Sequence, residues 1–307
     1  MKRQTGVILV AIAAALWGLD ALIRAPLAHS TDVATIVFGE HLVLVLCTLP
    51  FAAGALAAVF RLGPRYVLAA VVIGAGSSAI ATILFTQAFV EGSDYVTPVV
   101  LQKVQPVVAI VAAALILGER PRPRFALYLV PALAGAWLIG VPQPFHPTIH
   151  GVKPTLFALG AAVLWALGTV LGRYLSREMR FEHVTTLRFV FGLPAAAIAL
   201  LVLGAPAFAS AHDSLWIAVL ALVTGLFALG LYYYGLQRTP AVAASLAELA
   251  FPVSAILVGY FKFGQTLTGW QWVGVALTSL VVIALPARPA ETYEYVPPAP
   301  APAPAPA

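Results

Sequence analysis

The chain has 307 residues, of which 61% are hydrophobic and 9% charged, and its mean hydropathy is +0.95; that composition lies far outside the range of soluble domains. Its formal charge is +5, but the Lys and Arg residues stand in short clusters between apolar runs, the pattern of loops at a membrane surface and not of a nucleic-acid-binding face. The single cysteine, Cys47, lies inside an apolar run, which excludes a disulfide framework and a cysteine-based metal site.

At roughly 20 residues per crossing, this length accommodates about ten spans. Met1-Lys2-Arg3 and the apolar residues after it look like a signal peptide. The run from Gly6 to Ala28 is too long for such a segment and lacks a small-x-small cleavage site near its end, so it reads as the first span. The apolar runs predict helices over 5–27, 34–60, 66–90, 95–117 and 125–142. A second set covers 154–174, 184–203, 214–237, 241–261 and 269–286. The connections are short, as between antiparallel neighbours. The Pro/Ala-rich stretch 287–307 predicts an extended, disordered tail, and no role is assigned to it.

The two sets repeat each other. Ala15-Leu16-Trp17-Gly18 lies over Val163-Leu164-Trp165-Ala166, and Glu40 over Arg188, both 148 positions on. Gln102 lies over Glu248, Pro106 over Pro252, and Leu117-Gly118-Glu119 over Phe263-Gly264-Gln265, all 146 positions on. The repeats are therefore read as 1–142 and 154–286, joined by an outer loop at 143–153. If the N-terminus is cytoplasmic, that side receives Lys2, Arg3, Arg61, Arg65, Arg120, Arg122, Arg124, Arg173, Arg177, Arg180, Arg238 and Arg288. The other side receives Lys153 and Lys262, with Arg24 near the end of the first helix. That bias sets both termini in the cytoplasm. Matching loops then fall on opposite sides: Arg120 to Arg124 inside, Thr266 to Gly269 outside. The predicted fold is an all-α integral membrane protein with ten transmembrane helices, arranged as two inverted five-helix repeats, a hallmark of secondary transporters.

The chain resembles the EamA-type branch of the drug/metabolite transporter superfamily over residues 5–286. The resemblance rests on Ala-Leu-Trp-Gly in helix 1, on Gln-Pro-Val-Val-Ala-Ile…Leu-Gly-Glu at 105–119, and on Phe-Pro-Val-Ser-Ala-Ile…Phe-Gly-Gln at 251–265. It implies ten helices, a cavity between two inverted bundles, and export of amino acids, other metabolites or drugs. Two departures stand out. Gln265 replaces the acid that often ends the second motif, and Glu40 stands where its repeat mate Arg188 is basic.

A charge at mid-membrane costs about 2.5–3.5 kcal/mol on insertion scales, so each requires an account. Counted from the helix ends, Asp20, Arg24, Glu40 and Lys103 fall toward the outer half and Arg188 and Glu248 toward the inner half. Trp17, Asp20 and Arg24 share one helix face at i, i+3 and i+7. They suit a cavity lip, and Asp20 with Arg24 equally suits an i, i+4 ion pair. Trp165 fits a cavity wall or plain packing. Glu40 with His41 is the best candidate for proton coupling, and Glu40 also fits an ion pair with Lys103 or Arg24. Glu248 and Arg188 are expected to meet, and Glu248 fits an inner gate or coupling acid on one reading and helix–helix glue on the other. Gln102 and Gln87 are candidate polar lining. One or more of Tyr232, Tyr233 and Tyr234 must point inward, with Tyr233 and Tyr234 taken as pathway residues. Pro106 and Pro252 predict kinks flanking the site. Trp270 and Trp272 read as interface anchors, and Glu119 as a structural end-cap.

No Gly-rich phosphate loop, metal cluster or nucleophilic triad is present, so neither an enzyme nor a bound cofactor is expected. Driving energy must then come from ion or solute gradients. The expected function is export of small amphipathic metabolites such as amino acids across the cytoplasmic membrane by alternating access. The residues fit proton antiport and downhill facilitation alike. The expected partners are the small-molecule substrate, the lipid bilayer and protons, with no nucleic acid. A lipid-handling or partner-binding membrane protein without solute flux is the alternative. The two-level charges and paired prolines argue against it.

Overall fold

The structure, a computed structural model, describes residues 3–91, 104–141, 143–146, 152–285 and 293–295. The first repeat comprises α1 (Arg3–Gly18), α2 (Ala21–Ser30), α3 (Val33–Leu62), α4 (Pro64–Val71), α5 (Ala81–Glu91), α6 (Gln105–Ala112) and α7 (Ala126–Gly140). A π-helical segment, Val72–Ile80, joins α4 to α5, and another, Ala113–Leu117, continues α6. The second repeat comprises α8 (Val152–Ser176), α9 (Phe181–Leu203), α10 (Ala211–Leu220), α11 (Ala228–Leu236), α12 (Ala241–Ala247), α13 (Ala250–Phe263) and α14 (Gly269–Ala284). A π segment, Ala221–Phe227, joins α10 to α11. Among the described residues, eight helical stretches are long and apolar enough to cross a membrane, and Gln105–Leu117 and Gly269–Ala284 are shorter apolar helices.

Packing mirrors the internal repeat. α1 lies against α11 and α13, while its counterpart α8 lies against α5 and α6. α3 packs on its own counterpart α9, and α7 on α14. Exchange of the halves thus maps the contacts onto themselves. The π segments at Val72–Ile80 and Ala221–Phe227 fall at matching places. Such segments inside helices are rare and concentrate at functional sites.

Lipid offers no hydrophobic drive between helices, so close approach depends on small residues. A Cβ on Gly274 would stand 2.7 Å from the Gly135 carbonyl oxygen and 2.8 Å from the Ile139 amide nitrogen, so α7 and α14 meet backbone to backbone. The outer surface carries side chains such as Leu115, Phe261 and Ile283, all more than 75% exposed, as a lipid-facing shell requires. Trp270 and Trp272 are also exposed there. Gly118 and Gly264, repeat mates, end their helices in the left-handed region at φ 67° and 65°, where a side chain would be strained.

Three local features depart from the sequence expectations. The predicted helix 5–27 is interrupted at Leu19–Asp20, where the amides of Leu19, Asp20, Leu22 and Ile23 bond three residues back instead of four. A Cβ at Gly18 would collide with Ser254 and Ala255 of α13; the tightened turn lies at that crossing. The predicted helix 241–261 is divided at Glu248–Leu249. Pro252 has no amide for the Glu248 carbonyl, which accepts from Phe251 N–H at 3.0 Å instead. In the tail, Tyr293–Tyr295 forms a strand antiparallel to Glu119–Pro121, with Glu119 opposite Tyr295. The edge groups of 119–121 supply what that pairing needs.

Glu119 acts as the structural cap expected of it, though for another helix. Its carboxylate is 1% exposed, receives Arg177 at 2.7 Å, lies 3.6 Å from Arg173 Nε, and accepts Ala241 N–H at 2.7 Å. One side chain therefore ties the end of the α6 stretch to α8 and to the first turn of α12.

Candidate functional site

Residues of the two repeats line a partly open chamber of about 280 Å³. Its wall carries five charged side chains, Asp20, Arg24, Glu40, Arg188 and Glu248, together with the rings of Trp17, Phe85, Trp165, Tyr232 and Phe251. A mostly apolar wall with a few convergent polar groups is the usual form of a small-molecule site.

One group of charges closes on itself. Arg24 on α2 donates to both carboxylate oxygens of Asp20 and reaches Glu40 on α3 at 2.9 and 3.1 Å. Thr224 of the second-repeat π segment donates to Asp20 at 3.1 Å, and the Trp17 indole N–H donates to the Thr224 carbonyl at 3.1 Å. Both the Asp20–Arg24 pair and the Glu40–Arg24 pair read from the sequence are thus present. His41, beside Glu40, is spoken for. Its Nδ1 donates to the Val37 carbonyl at 2.8 Å, and its Nε2 lies 3.0 Å from Ser78 Oγ. The carbonyl can only accept, which fixes the proton on Nδ1 and makes His41 a bridge between α3 and the first-repeat π segment.

The other group is held differently. Glu248, at the α12–α13 interruption, accepts from Gln105 Nε2 at 2.8 Å, Thr169 Oγ1 at 2.9 Å and the Tyr232 hydroxyl at 2.7 Å. Four segments from both repeats therefore meet on one carboxylate. Arg188 on α9 donates to the Tyr233 hydroxyl at 3.1 Å and to the Ser77 carbonyl at 3.3 Å. The expected Arg188–Glu248 ion pair is absent. Both groups line the chamber, but each is met by nearer neutral partners.

Aromatic rings sit between these groups. Trp17 meets Tyr232 with centroids 5.1 Å apart, and Trp165 meets Phe85 edge-on at 5.0 Å. Both tryptophans line the chamber, at matching places of the two repeats.

Several expectations need correction. Tyr234 is not on the chamber; it packs edge-on against Phe181 at 5.1 Å, with the Arg238 guanidinium 4.2 Å over its ring. Tyr233 is fully buried behind the wall and braces Arg188, while the lining tyrosine is Tyr232. Gln87 does not line the chamber, where Thr82, Phe85 and Thr86 of the same helix do. Gln102 and Lys103 lie outside the described residues. Pro106 stands in the first turn of α6, where a proline fits without distortion, and Pro252 lies just past the α12–α13 interruption. Thr169 and Gln105 are not singled out by the sequence. Thr169 has a signal there, since it stands one helical turn from Trp165 on the same face. Among the described residues, no group of three or more His, Cys, Asp and Glu side chains is placed to hold a metal ion.

Comparison with known proteins bears on this geometry. The sequence pattern of the EamA-like transporter family matches residues 4–141 and again 152–285. A curated relative, the riboflavin transporter ImpX of Fusobacterium nucleatum subsp. nucleatum, is 27% identical over 257 residues, spanning 80% of this chain and 86% of its own. A protein of known crystal structure superposes with a TM-score of 0.70 at 20% identity, covering 91% of this chain and 95% of its own. That likeness concerns the fold.

Proposed function

The chain belongs to the EamA-like transporter family, and we propose that it is a secondary transporter carrying a small, planar, amphipathic metabolite through the chamber between its halves. The observation that carries the reading is the wall itself: five aromatic rings around a small set of charges, at the meeting place of two matched repeats. Flat rings suit aromatic side chains as stacking surfaces. The relative named a riboflavin transporter makes a flavin-like heterocycle the first substrate class to try.

In this reading the chain crosses the membrane ten times as two five-helix halves of opposite sense, bounded near 142 and 154. Both termini are cytoplasmic in the inner membrane. Alternating access is the rocking of one half against the other about the chamber. Glu248 sits where that motion must act, because its bond to Gln105 crosses between the halves while its bonds to Thr169 and Tyr232 stay within one. Protonation of Glu248 would weaken that junction, which gives proton coupling a physical route. Glu40, already paired with Arg24, is the lesser candidate.

A second reading has its own observation. Arg188 and Glu248 line one chamber without pairing, so a zwitterionic amino acid could place its two ends between them, and export of amino acids is a specific alternative. Counterflow in proteoliposomes separates the readings. Purified protein preloaded with riboflavin should accumulate labelled riboflavin, and preloaded amino acids should drive little exchange of their labelled forms. Exchange of amino acids alone would favour the second reading, and flux of neither class would refute both.

A further inference from the structure

The charges on the chamber wall can be balanced one by one. Asp20 and Glu40 share Arg24. Glu248 receives three hydrogen bonds from neutral donors, which nearly fills the acceptor capacity of a carboxylate in a confined site. Arg188 is different. Its two hydrogen bonds go to neutral oxygens, the Tyr233 hydroxyl and the Ser77 carbonyl, and its Nε is buried without a partner. A guanidinium carries five N–H donors, so most of its donor capacity is unspent and its charge has no carboxylate beside it. Holding a half-buried cation on these terms is costly.

The protein nevertheless holds this guanidinium firmly. Tyr233 is fully buried and fixes one end. Ser77 fixes the other through its backbone carbonyl, from within the first-repeat π segment. The Ser77 hydroxyl is itself tied to the Leu164 carbonyl at 2.5 Å. Behind it α8 approaches so closely that a Cβ at Gly168 would lie 2.5 Å from Ser77 Oγ. The second-repeat π segment uses a carbonyl in the same manner, since Thr224 receives the Trp17 indole from the opposite half. The two π segments thus each orient one chamber side chain, and one of those side chains is a cation with donors to spare.

We propose that Arg188 is the specificity-determining anchor of the chamber and that it takes a pair of acceptor oxygens on the solute, from a carboxylate or from adjacent ring carbonyls, with the solute ring against Trp165 and Phe85. A planar guanidinium fork matches such a pair in two parallel hydrogen bonds. On the heterocycle reading Glu248 keeps its three donors and takes no amine, so the solute is recognised by its acceptors. This rests on the reading of the chamber as the solute path.

The test is equilibrium dialysis of purified, detergent-solubilised protein against three labelled probes. Riboflavin offers ring carbonyls, indole-3-acetate an aromatic carboxylate, and tryptamine the same ring with an amine. Saturable binding of riboflavin or indole-3-acetate, with little of tryptamine, is the expected result, and whichever of the first two binds identifies the source of the oxygens. Arg188→Gln should then weaken that probe by about tenfold or more, as loss of a charged, two-pronged contact predicts. Arg188→Lys should restore part of the affinity for a carboxylate and little for ring carbonyls, and Tyr233→Phe should weaken binding less than Arg188→Gln. Tryptamine binding as well as the acceptor probes, or binding of none of the three, overturns the proposal without any variant. So does wild-type affinity in a monodisperse Arg188→Gln protein. A wild-type protein that binds an acceptor probe but exchanges nothing in proteoliposomes would instead count against the transport reading.

Discussion

Asp20, Arg24 and Glu40 on one side of the chamber, and Arg188 and Glu248 on the other, are similar inventories of charge held in opposite ways. In the first group one guanidinium serves two carboxylates at hydrogen-bonding distance, so each member's burial depends on the others. In the second, the acid and the base lean on Gln105, Thr169, Tyr232, Tyr233 and a backbone carbonyl. Separating a buried ion pair is expensive, whereas exchanging neutral hydrogen-bond partners costs much less. On the proposed reading the first group stays closed and serves structure, while the second changes partners and serves transport.

Six substitutions test that division and the wall around it, from the largest expected effect to the smallest. Arg24→Ala strands two buried carboxylates and should cost about 3 kcal/mol or more of stability, seen as a lower melting temperature and loss of the monodisperse species in detergent. An unchanged melting temperature would mean that the triad does not hold this region. Glu248→Gln keeps the shape, so stability should change by no more than about 1 kcal/mol. Flux in proteoliposomes should fall about tenfold, as loss of one charged contact predicts, and lose its response to an imposed pH gradient. Glu40→Gln should keep that response, and a flat pH dependence in Glu40→Gln alone would reverse the assignment.

Trp17→Ala and Trp165→Ala should each raise KM by up to about tenfold, the worth of one aromatic stacking partner. Trp165→Ala is expected to have the larger effect, because the proposed pose sets the solute ring against Trp165, whereas Trp17 faces Tyr232 and is tied to Thr224. An unaffected KM in either would remove that ring from the solute path. Tyr234→Phe keeps the contacts with Phe181 and Arg238 and should leave stability within about 0.5 kcal/mol, with flux unchanged. A strong loss of flux would return Tyr234 to the pathway.

Much of this organisation is legible in the sequence because it is written in one dimension. The apolar runs, the 148-residue echo of Trp17 in Trp165, the helix-ending Gly118 and Gly264, and the i, i+4 pair Asp20–Arg24 need only spacing. The misreadings share a different cause. Three adjacent tyrosines share one composition, so nothing in the sequence chooses among them, and the π segment Ala221–Phe227 ahead of them breaks the regular helical phase. Tyr232 faces the chamber, while Tyr233 packs behind it and Tyr234 turns away. The expected Arg188–Glu248 pair rests on equal depth, and depth says nothing about lateral distance or about neutral donors that arrive first. Thr169 and Gln105 carry no charge and so give little signal, although they hold the carboxylate on which four segments of both halves meet.

The central claim is that solute passes through this chamber. It is tested most directly by blocking the chamber chemically. In a Cys47→Ser background, Thr82→Cys places a thiol on the wall. The account predicts that a bulky maleimide abolishes whatever counterflow this protein retains, and that saturating solute slows the labelling. Complete labelling at an unchanged rate in the presence of solute, with flux intact afterwards, would contradict it.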